Sequence, residues 1–258
     1  MNNKIGIGIA GLGTVGEGFL KQLKKYKTSN KKTSNFELIN IAVKNLRKKR
    51  NVITKNLPLI KDTLSLASNP KIDIVIELIG GSSGVAYKLV KKSLMNGKSI
   101  ITANKALLAI HGNELIKIAE KNNCFISFEA AIAGGIPVVK AIRENLKFNE
   151  ITKVYGILNG TCNYILTKME TEGKDFNSVL KDAQNLGFAE LDPSFDIKGI
   201  DAAHKITLLS SLAFNVPVNF SSTYIEGIQN IEIDDFNLVR EFGYKIKLLG
   251  IAKKKGNF

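Results

Sequence analysis

A run of glycines near the start of the chain restricts its fold more than any other feature. Residues 4–10 (KIGIGIA) are apolar and strand-like. Gly11, Gly13 and Gly16 follow in the spacing G-x-G-x-x-G, and a helical pattern then runs to about residue 26. Strand, glycine turn and helix in that order predict a dinucleotide-binding βα unit. The three glycines serve different ends. Gly11 permits the tight turn, Gly13 lets backbone approach a pyrophosphate, and Gly16 lets helix and strand pack closely. The helix N-terminus, with Thr14 and Val15 in its first turn, then faces the phosphates. A second register, Gly6, Gly8 and Gly11, leaves too little strand ahead of it.

The next strand is expected at residues 36–43. A site that prefers NAD places Asp or Glu at the end of this strand, to hold the ribose 2′-hydroxyl. Here Lys44 stands at that end, the basic residues Arg47, Lys48, Lys49 and Arg50 follow, and Glu37 sits at the strand's start. A basic strand end suits a 2′-phosphate, so the expected cofactor is NADP, with NAD possible. Residues 73–79 (DIVIELI) suit a buried parallel strand. Gly80 and Gly81 follow at the edge where open α/β sheets bind ligands, which makes Gly81 a cofactor-site candidate. A helix at 84–95, a strand at 99–102, a helix at 106–122 and a strand at 124–128 continue the alternation. The expected fold class is α/β, a doubly wound Rossmann-type parallel sheet.

Residues 129–137 (EAAIAGGIP) break the pattern. They predict a small-residue loop whose exposed carbonyls suit a hard cation, though most such loops hold none. Pro137 opens a helix to about residue 146. From residue 151 the character changes to a second, α+β domain, with the boundary near 148. Its expected elements are a strand at 151–158, a turn at 159–163, helices at 163–171, 176–186, 200–214 and near 234–242, and a strand at 247–252. The stretch 186–205 (LGFAELDPSFDIKGIDAAHK) carries an acidic loop, Glu190, Asp192 and Asp196, before a helix. Asp201 and Lys205 are four residues apart on that helix and so share a face. On spacing alone such a pair is a surface ion pair.

Composition narrows the partners. No apolar run approaches a spanning helix, and the N-terminus is a strand rather than a signal peptide, so no membrane partner is expected. The formal net charge is +14, but 33 of the 37 basic residues are Lys and the basic runs at 21–32 and 47–50 carry no aromatic beyond Tyr26. A nucleic-acid groove more often carries Arg and aromatics, so no nucleic-acid partner is expected. Cys124 and Cys162 are far apart, and with only His111 and His204 no set has zinc-ligand spacing. Two lone thiols suit a reducing compartment, the cytoplasm. His204 points about 100° around the helix from Lys205, toward packing or the surface; His111 is expected to be structural or solvated.

Five stretches together resemble the homoserine dehydrogenases over essentially the whole chain: GLGTVG at 11–16, TANKALLA at 102–109, EAAIAGGIP at 129–137, GILNGTCNYIL at 156–166, and the stretch 186–205, the family's most distinctive motif. The resemblance implies reversible reduction of L-aspartate 4-semialdehyde to L-homoserine by a nicotinamide cofactor, in threonine, methionine and isoleucine biosynthesis. It implies Lys205 as the general acid that protonates the carbonyl oxygen, and Lys105 as a second essential lysine near nicotinamide and substrate. It implies Glu190 as the holder of the substrate ammonium, Asp201 as the group that orients substrate or Lys205, and Gly160 and Thr161 as pocket lining. Glu129, Ile132, Gly134 and Ile136 match the family's loop for a monovalent cation, Na+ or K+, held mostly by backbone oxygens.

The resemblance also implies residues 1–148 as the nucleotide-binding domain, residues 149–258 as the substrate-binding and dimerisation domain, and a homodimer. The chemistry agrees, because carbonyl reduction creates an alkoxide-like oxygen that a nearby ammonium stabilises and protonates. Chains of the family usually continue well past this end, so a C-terminal truncation is expected, with activity, cofactor affinity and dimerisation at stake. Two rival readings stand beside it: another NAD(P)-dependent amino-acid or semialdehyde dehydrogenase on the same scaffold, and an inactive nucleotide-binding fragment.

Overall fold

The structure, a computed structural model, describes residues 4–29, 35–52 and 57–255, so Lys31 and Lys32 of the basic run and residues 256–258 lie outside it. Its contacts divide the chain into two compact units, Met1–Pro137 and Val138–Phe258.

The first unit runs β1 (Ile5–Ala10), α1 (Thr14–Ser29), β2 (Phe36–Ala42), β3 (Leu59–Ile60), α2 (Ser65–Ser68), β4 (Ile74–Glu77), α3 (Gly84–Met95), β5 (Ser99–Thr102), α4 (Lys105–Lys121), β6 (Ile126–Ser127) and α5 (Glu129–Ile132). Its six strands form one sheet in the order β3-β2-β1-β4-β5-β6, and every pair is parallel. Ile9, Ile41, Val75 and Ile100 are fully buried, as expected where helices cover both faces and the strands read as unbroken apolar runs. The register aligns four strand ends in one row: Ala42 beside Ala10, Ala10 beside Glu77, and Glu77 beside Thr102. The order reverses between β1 and β4, and that crevice at the strands' C-terminal ends is where such sheets bind ligands.

The extra glycines of β1 have a packing cause. A Cβ on Gly6 would fall 1.7 Å from the Lys71 carbonyl oxygen, and one on Gly8 would fall 2.8 Å from Ile72 Cδ1. They admit the chain that enters β4, whose Asp73 carboxylate accepts a hydrogen bond from Gly6 N at 2.6 Å. Two short elements, β3 and α2, have no counterpart in the sequence pattern. β3 owes its two residues to pairing with β2 and follows Pro58, whose carbonyl accepts from Ile41 N at 2.9 Å. β6 is shorter than residues 124–128, because Cys124 N still donates to Ala119 O of α4 at 2.8 Å.

The second unit runs α6 (Val138–Lys140), which continues as a π-helical turn (Ala141–Asn145), then β7 (Lys153–Gly156), α7 (Gly160–Glu172), α8 (Phe176–Asn185), α9 (Ser194–Ile197), α10 (Ile200–Phe214), a 3-10 turn (Phe220–Ser222), α11 (Ile233–Glu241) and β8 (Gly250–Lys253). The π-turn packs on α10, so the division falls after Pro137 and not near 148. β7 and β8 pair antiparallel. Alternation puts Val154, Gly156, Gly250 and Ala252 on the face toward α10 and leaves Tyr155 and Ile251 outward and exposed. A core of Cys162, Ile165, Leu166, Met169, Val179, Ala183, Ile197, Ile228 and Phe236 joins α7, α8, α9 and α11; a fully buried Ile or Leu there is worth about 2 kcal/mol.

Both strands of this ribbon are shorter than their apolar runs, and side chains are the reason. The Asn163 amide donates to Leu248 O at 3.1 Å and accepts from Leu248 N at 3.0 Å, which takes residue 248 out of strand pairing. The Leu158 carbonyl accepts instead from Lys205 Nζ at 2.7 Å.

Candidate functional site

In the first unit the glycine turn has the shape its spacing predicts. Gly11 adopts φ +100°, open to glycine and strained for other residues, and a Cβ there would meet the Leu78 carbonyl oxygen at 2.7 Å. A Cβ on Gly16 would meet the Gly11 carbonyl oxygen at 2.6 Å, so Gly16 sets how closely α1 approaches the turn. A Cβ on Gly13 would meet nothing within 4 Å. That open face, beside the exposed first-turn residues Thr14 and Val15, fits a phosphate group. Gly16→Val is expected to weaken binding of the nicotinamide dinucleotide that the glycine spacing predicts by roughly tenfold or more, since overpacking costs about 1–3 kcal/mol; titration of the reduced dinucleotide's fluorescence measures it.

Beyond β2, Lys44 is exposed. Arg50, by contrast, is committed to its own loop: Nη1 donates to Lys48 O at 2.8 Å and Nη2 to Asn45 O at 2.7 Å. The loop is tied to α1 through Asn51 N, 3.3 Å from the Glu17 carboxylate. Glu37 pairs with Gly6 at the far end of β2 from the glycine turn. The strand end therefore carries Lys44 and no carboxylate.

The C-terminal ends of β4 and β5 hold a polar cluster to which the sequence pattern assigned no role. Glu77 is fully buried. Its Oε1 accepts from Ile79 N at 2.8 Å and Gly80 N at 3.1 Å, and its Oε2 accepts from Thr102 Oγ1 at 2.6 Å. Asn104 donates to Gly81 O at 2.7 Å and caps α4 by accepting from Leu107 N at 3.1 Å. Lys105, half-buried, is the first residue of α4. Further on, Glu129–Ile132 is one helical turn and not open loop as expected. Ile132 is buried, while Gly134, at φ +59°, and Ile136 are exposed. Among the described residues no cluster of three or more His, Cys, Asp and Glu suits a metal ion, and Glu129 is the one carboxylate of residues 129–137.

In the second unit Asp201 and Lys205 are brought together, and not at the surface as their spacing alone suggests. Lys205 Nζ lies 2.8 Å from Asp201 Oδ2, with the two side chains only 18% and 6% exposed. The same Oδ2 accepts from Asn159 Nδ2 at 2.9 Å, and Asn159 Nδ2 also donates to Asp196 Oδ1 at 2.8 Å. Asn159 Oδ1 in turn caps α7, accepting from Cys162 N at 2.8 Å. Lys205 therefore directs one N–H to Asp201 and one to Leu158 O, and an ammonium has three. The third can serve a bound oxygen atom. Gly160 and Thr161 follow Asn159 in the first turn of α7, and Thr161 Oγ1 donates to Phe188 O at 3.1 Å. Glu190 is exposed in the loop before α9, its carbonyl held by Gln184 Nε2 at 3.0 Å.

Asn159 and the Leu158 carbonyl are the members of this network that sequence reasoning missed; Asp196 was placed in the acidic loop but without its bond to Asn159. The available signal was Asn159 itself, an Asn placed to cap the helix that starts at Gly160. His204 is buried between the rings of Phe195 and Phe220, with centroids at 5.3 and 4.3 Å, and His111 lies against Tyr87 at 4.4 Å. Both cysteines are free thiols. Burial, with the carboxylates of Asp196 and Asp201 nearby, pushes the Cys162 thiol up to about 12. The thiolate is the reactive form, so alkylation of the native protein at mildly alkaline pH should leave Cys162 unmodified. Mass spectrometry should find it labelled only after unfolding. No helix among the described residues is long and apolar enough to cross a membrane.

Comparison with known proteins points to the homoserine dehydrogenases. A family model described as homoserine dehydrogenase matches residues 137–256, and one described as homoserine dehydrogenase, NAD binding domain, matches residues 11–129. A homoserine dehydrogenase of Neisseria gonorrhoeae is 46% identical over 253 residues, which cover 98% of this chain and 58% of that protein. The crystal structure of a homoserine dehydrogenase from Thiobacillus denitrificans superposes with a TM-score of 0.92 at 46% identity, over 98% of this chain and 59% of that one. A hyperthermophilic archaeal homoserine dehydrogenase in complex with NADPH superposes with a TM-score of 0.79 at 26% identity, over 97% of this chain and 79% of that one. The chain thus spans a little under three fifths of the length of the first two relatives.

Proposed function

The chain belongs to the homoserine dehydrogenase family, and on that premise we propose that it catalyses the NADP-linked, reversible reduction of L-aspartate 4-semialdehyde to L-homoserine, a step toward threonine, methionine and isoleucine. The observation that carries this reading is the Lys205–Asp201 pair, sheltered and aimed by Leu158 O and Asn159. When bound, the nicotinamide cofactor supplies the hydride. Lys205 offers its remaining N–H to the aldehyde oxygen and gives up a proton as that oxygen gains electron density; in the reverse direction it takes the proton back. Asp201 fixes where the ammonium sits. Glu190, exposed before α9, holds the substrate's ammonium, and Gly160 and Thr161 line the pocket. Lys105, at the start of α4, is the second ammonium the reaction uses.

Gly11, Gly13, Thr14, Val15, Gly16 and Gly81 hold the cofactor, and Lys44 meets its 2′-phosphate. Support comes from the open face at Gly13, from the absence of a carboxylate at the end of β2, and from the NADPH bound by the archaeal relative. A monovalent cation at Glu129, Ile132, Gly134 and Ile136 belongs to the same reading; its support is the exposure of residues 134–136. Assembly as a homodimer rests on Tyr155 and Ile251, which face each other across β7 and β8 on the outward side of the ribbon. Two free thiols suit a cytoplasmic setting.

The test is oxidation of NADPH by the purified chain on addition of L-aspartate 4-semialdehyde, with NADH in a parallel arm. Semialdehyde-dependent turnover with NADPH preferred is the expected result. Preference for NADH would overturn the role of Lys44, and turnover only with a different aldehyde would favour the rival dehydrogenase reading.

A further inference from the structure

We propose that Glu77 is a positioning residue that sets the residue 79–81 loop and the start of α4 as one rigid piece, so that the nicotinamide half of the cofactor meets a preformed surface. The inference rests on the dinucleotide-binding reading of the first unit and deepens it. Burying a carboxylate is costly unless it is paired or fully hydrogen-bonded. Glu77 is 0% exposed, and no ion pair among the described residues includes it. An apolar residue at this place in β4 would continue the run Ile74, Val75, Ile76 at no such cost. What the carboxylate supplies is three accepted hydrogen bonds, and all three come from the ligand-binding edge: Ile79 N, Gly80 N and Thr102 Oγ1.

The loop needs them. Gly80 and Gly81 both adopt φ +83°, and a Cβ on either would meet nothing within 4 Å, so no neighbour at that position forces the turn. Hydrogen bonds do. Glu77 holds the loop's Ile79 and Gly80 N–H groups, while Asn104 holds the Gly81 carbonyl. The two holders are themselves linked, because Thr102 Oγ1 donates to Glu77 and accepts from Asn104 N at 2.9 Å. Asn104 is the cap of α4, directly before Lys105. One buried carboxylate therefore fixes the loop after β4 and, through Thr102, the helix start after β5.

Its place in the sheet assigns the half of the cofactor that benefits. In a doubly wound sheet the dinucleotide lies across the switch point, here between β1 and β4. The glycine turn after β1 and the end of β2 serve the pyrophosphate and the adenosine ribose. The edges of β4 and β5 belong to the other mononucleotide half, which carries the nicotinamide.

The experiment compares two ligands on the purified chain: NADPH, and 2′-phospho-ADP-ribose, which lacks the nicotinamide. Glu77→Gln keeps the size of the side chain but turns a donor toward Thr102. Thr102→Val removes the hydroxyl link and leaves Glu77, and Thr102→Ser restores it. Calorimetric titration should show NADPH binding weakened about tenfold in the first two variants, from lost hydrogen bonds to a charged group. Binding of 2′-phospho-ADP-ribose should stay within about twofold of the parent, and Thr102→Ser should behave as the parent does. Equal weakening of both ligands, or of neither, overturns the inference, because a merely structural role would not separate them. Should Glu77→Gln fail to fold, Thr102→Val decides the matter alone. A parent chain that binds neither ligand defeats the dinucleotide reading and this inference together. A parent that binds both but reduces no semialdehyde defeats only the proposed activity.

Discussion

Lys205→Ala is expected to lower kcat for L-aspartate 4-semialdehyde by about a thousandfold, within the range of roughly 10²–10⁴ for a general acid, with a further loss where an ammonium also stabilises the oxyanion. Affinity for NADPH should be unchanged, since the residues proposed to hold the cofactor belong to the first unit. The size of the effect follows from the geometry. Lys205 Nζ is held at 2.8 Å by Asp201 and at 2.7 Å by Leu158 O, so its remaining donor has a fixed direction. A solvent molecule in the truncated site has no such direction. Comparing kcat and NADPH affinity in the same preparation separates loss of chemistry from loss of fold. Undiminished turnover would remove Lys205 from the reaction.

Asp201→Ala carries the second large effect, on stability as well as rate. Two donors, Lys205 Nζ and Asn159 Nδ2, converge on one oxygen of a carboxylate that is 6% exposed. Removing one partner of a buried pair leaves the other charge unmatched and costs about 3–5 kcal/mol. Urea unfolding should show that loss. Glu144→Ala supplies the contrast. Lys140 and Glu144 share the i, i+4 spacing, but their side chains are 65% and 64% exposed and lie 3.8 Å apart. Exposed pairs of this kind contribute little, so that variant should match the parent. Equal effects at the two pairs would show that burial is not what sets Asp201 apart.

That contrast also marks how far the sequence could be read. The pattern of residues placed Asp201 and Lys205 on one helix face, and Ile200–Phe214 is the helix it predicted. It could not say that the face is buried, because burial here is decided by Leu158 and Asn159, more than forty positions away in the chain. Only the resemblance to a family favoured the sharper reading. The glycine turn was legible because each glycine answers a local steric demand, and the distances at Gly11 and Gly16 show those demands. Glu77 was legible as an acid inside an apolar strand but not as the hub of the β4 and β5 edges, since its partner Thr102 comes from the neighbouring strand. The strand limits at residues 156 and 250 were set by Lys205 and Asn163 competing for backbone groups, which no period-two pattern reveals. β3, two residues long and pairing-dependent, left no periodic trace at all.

The most direct test of the proposed reaction is isotopic. The purified chain is given L-aspartate 4-semialdehyde and NADPH that carries deuterium at the transferred position of its nicotinamide ring, and the product is analysed by mass spectrometry. The expected result is L-homoserine bearing a single deuterium on the carbon that was the aldehyde, formed by the parent and not by Lys205→Ala. Homoserine without the label, or labelled homoserine formed equally well by the Lys205 variant, would contradict it.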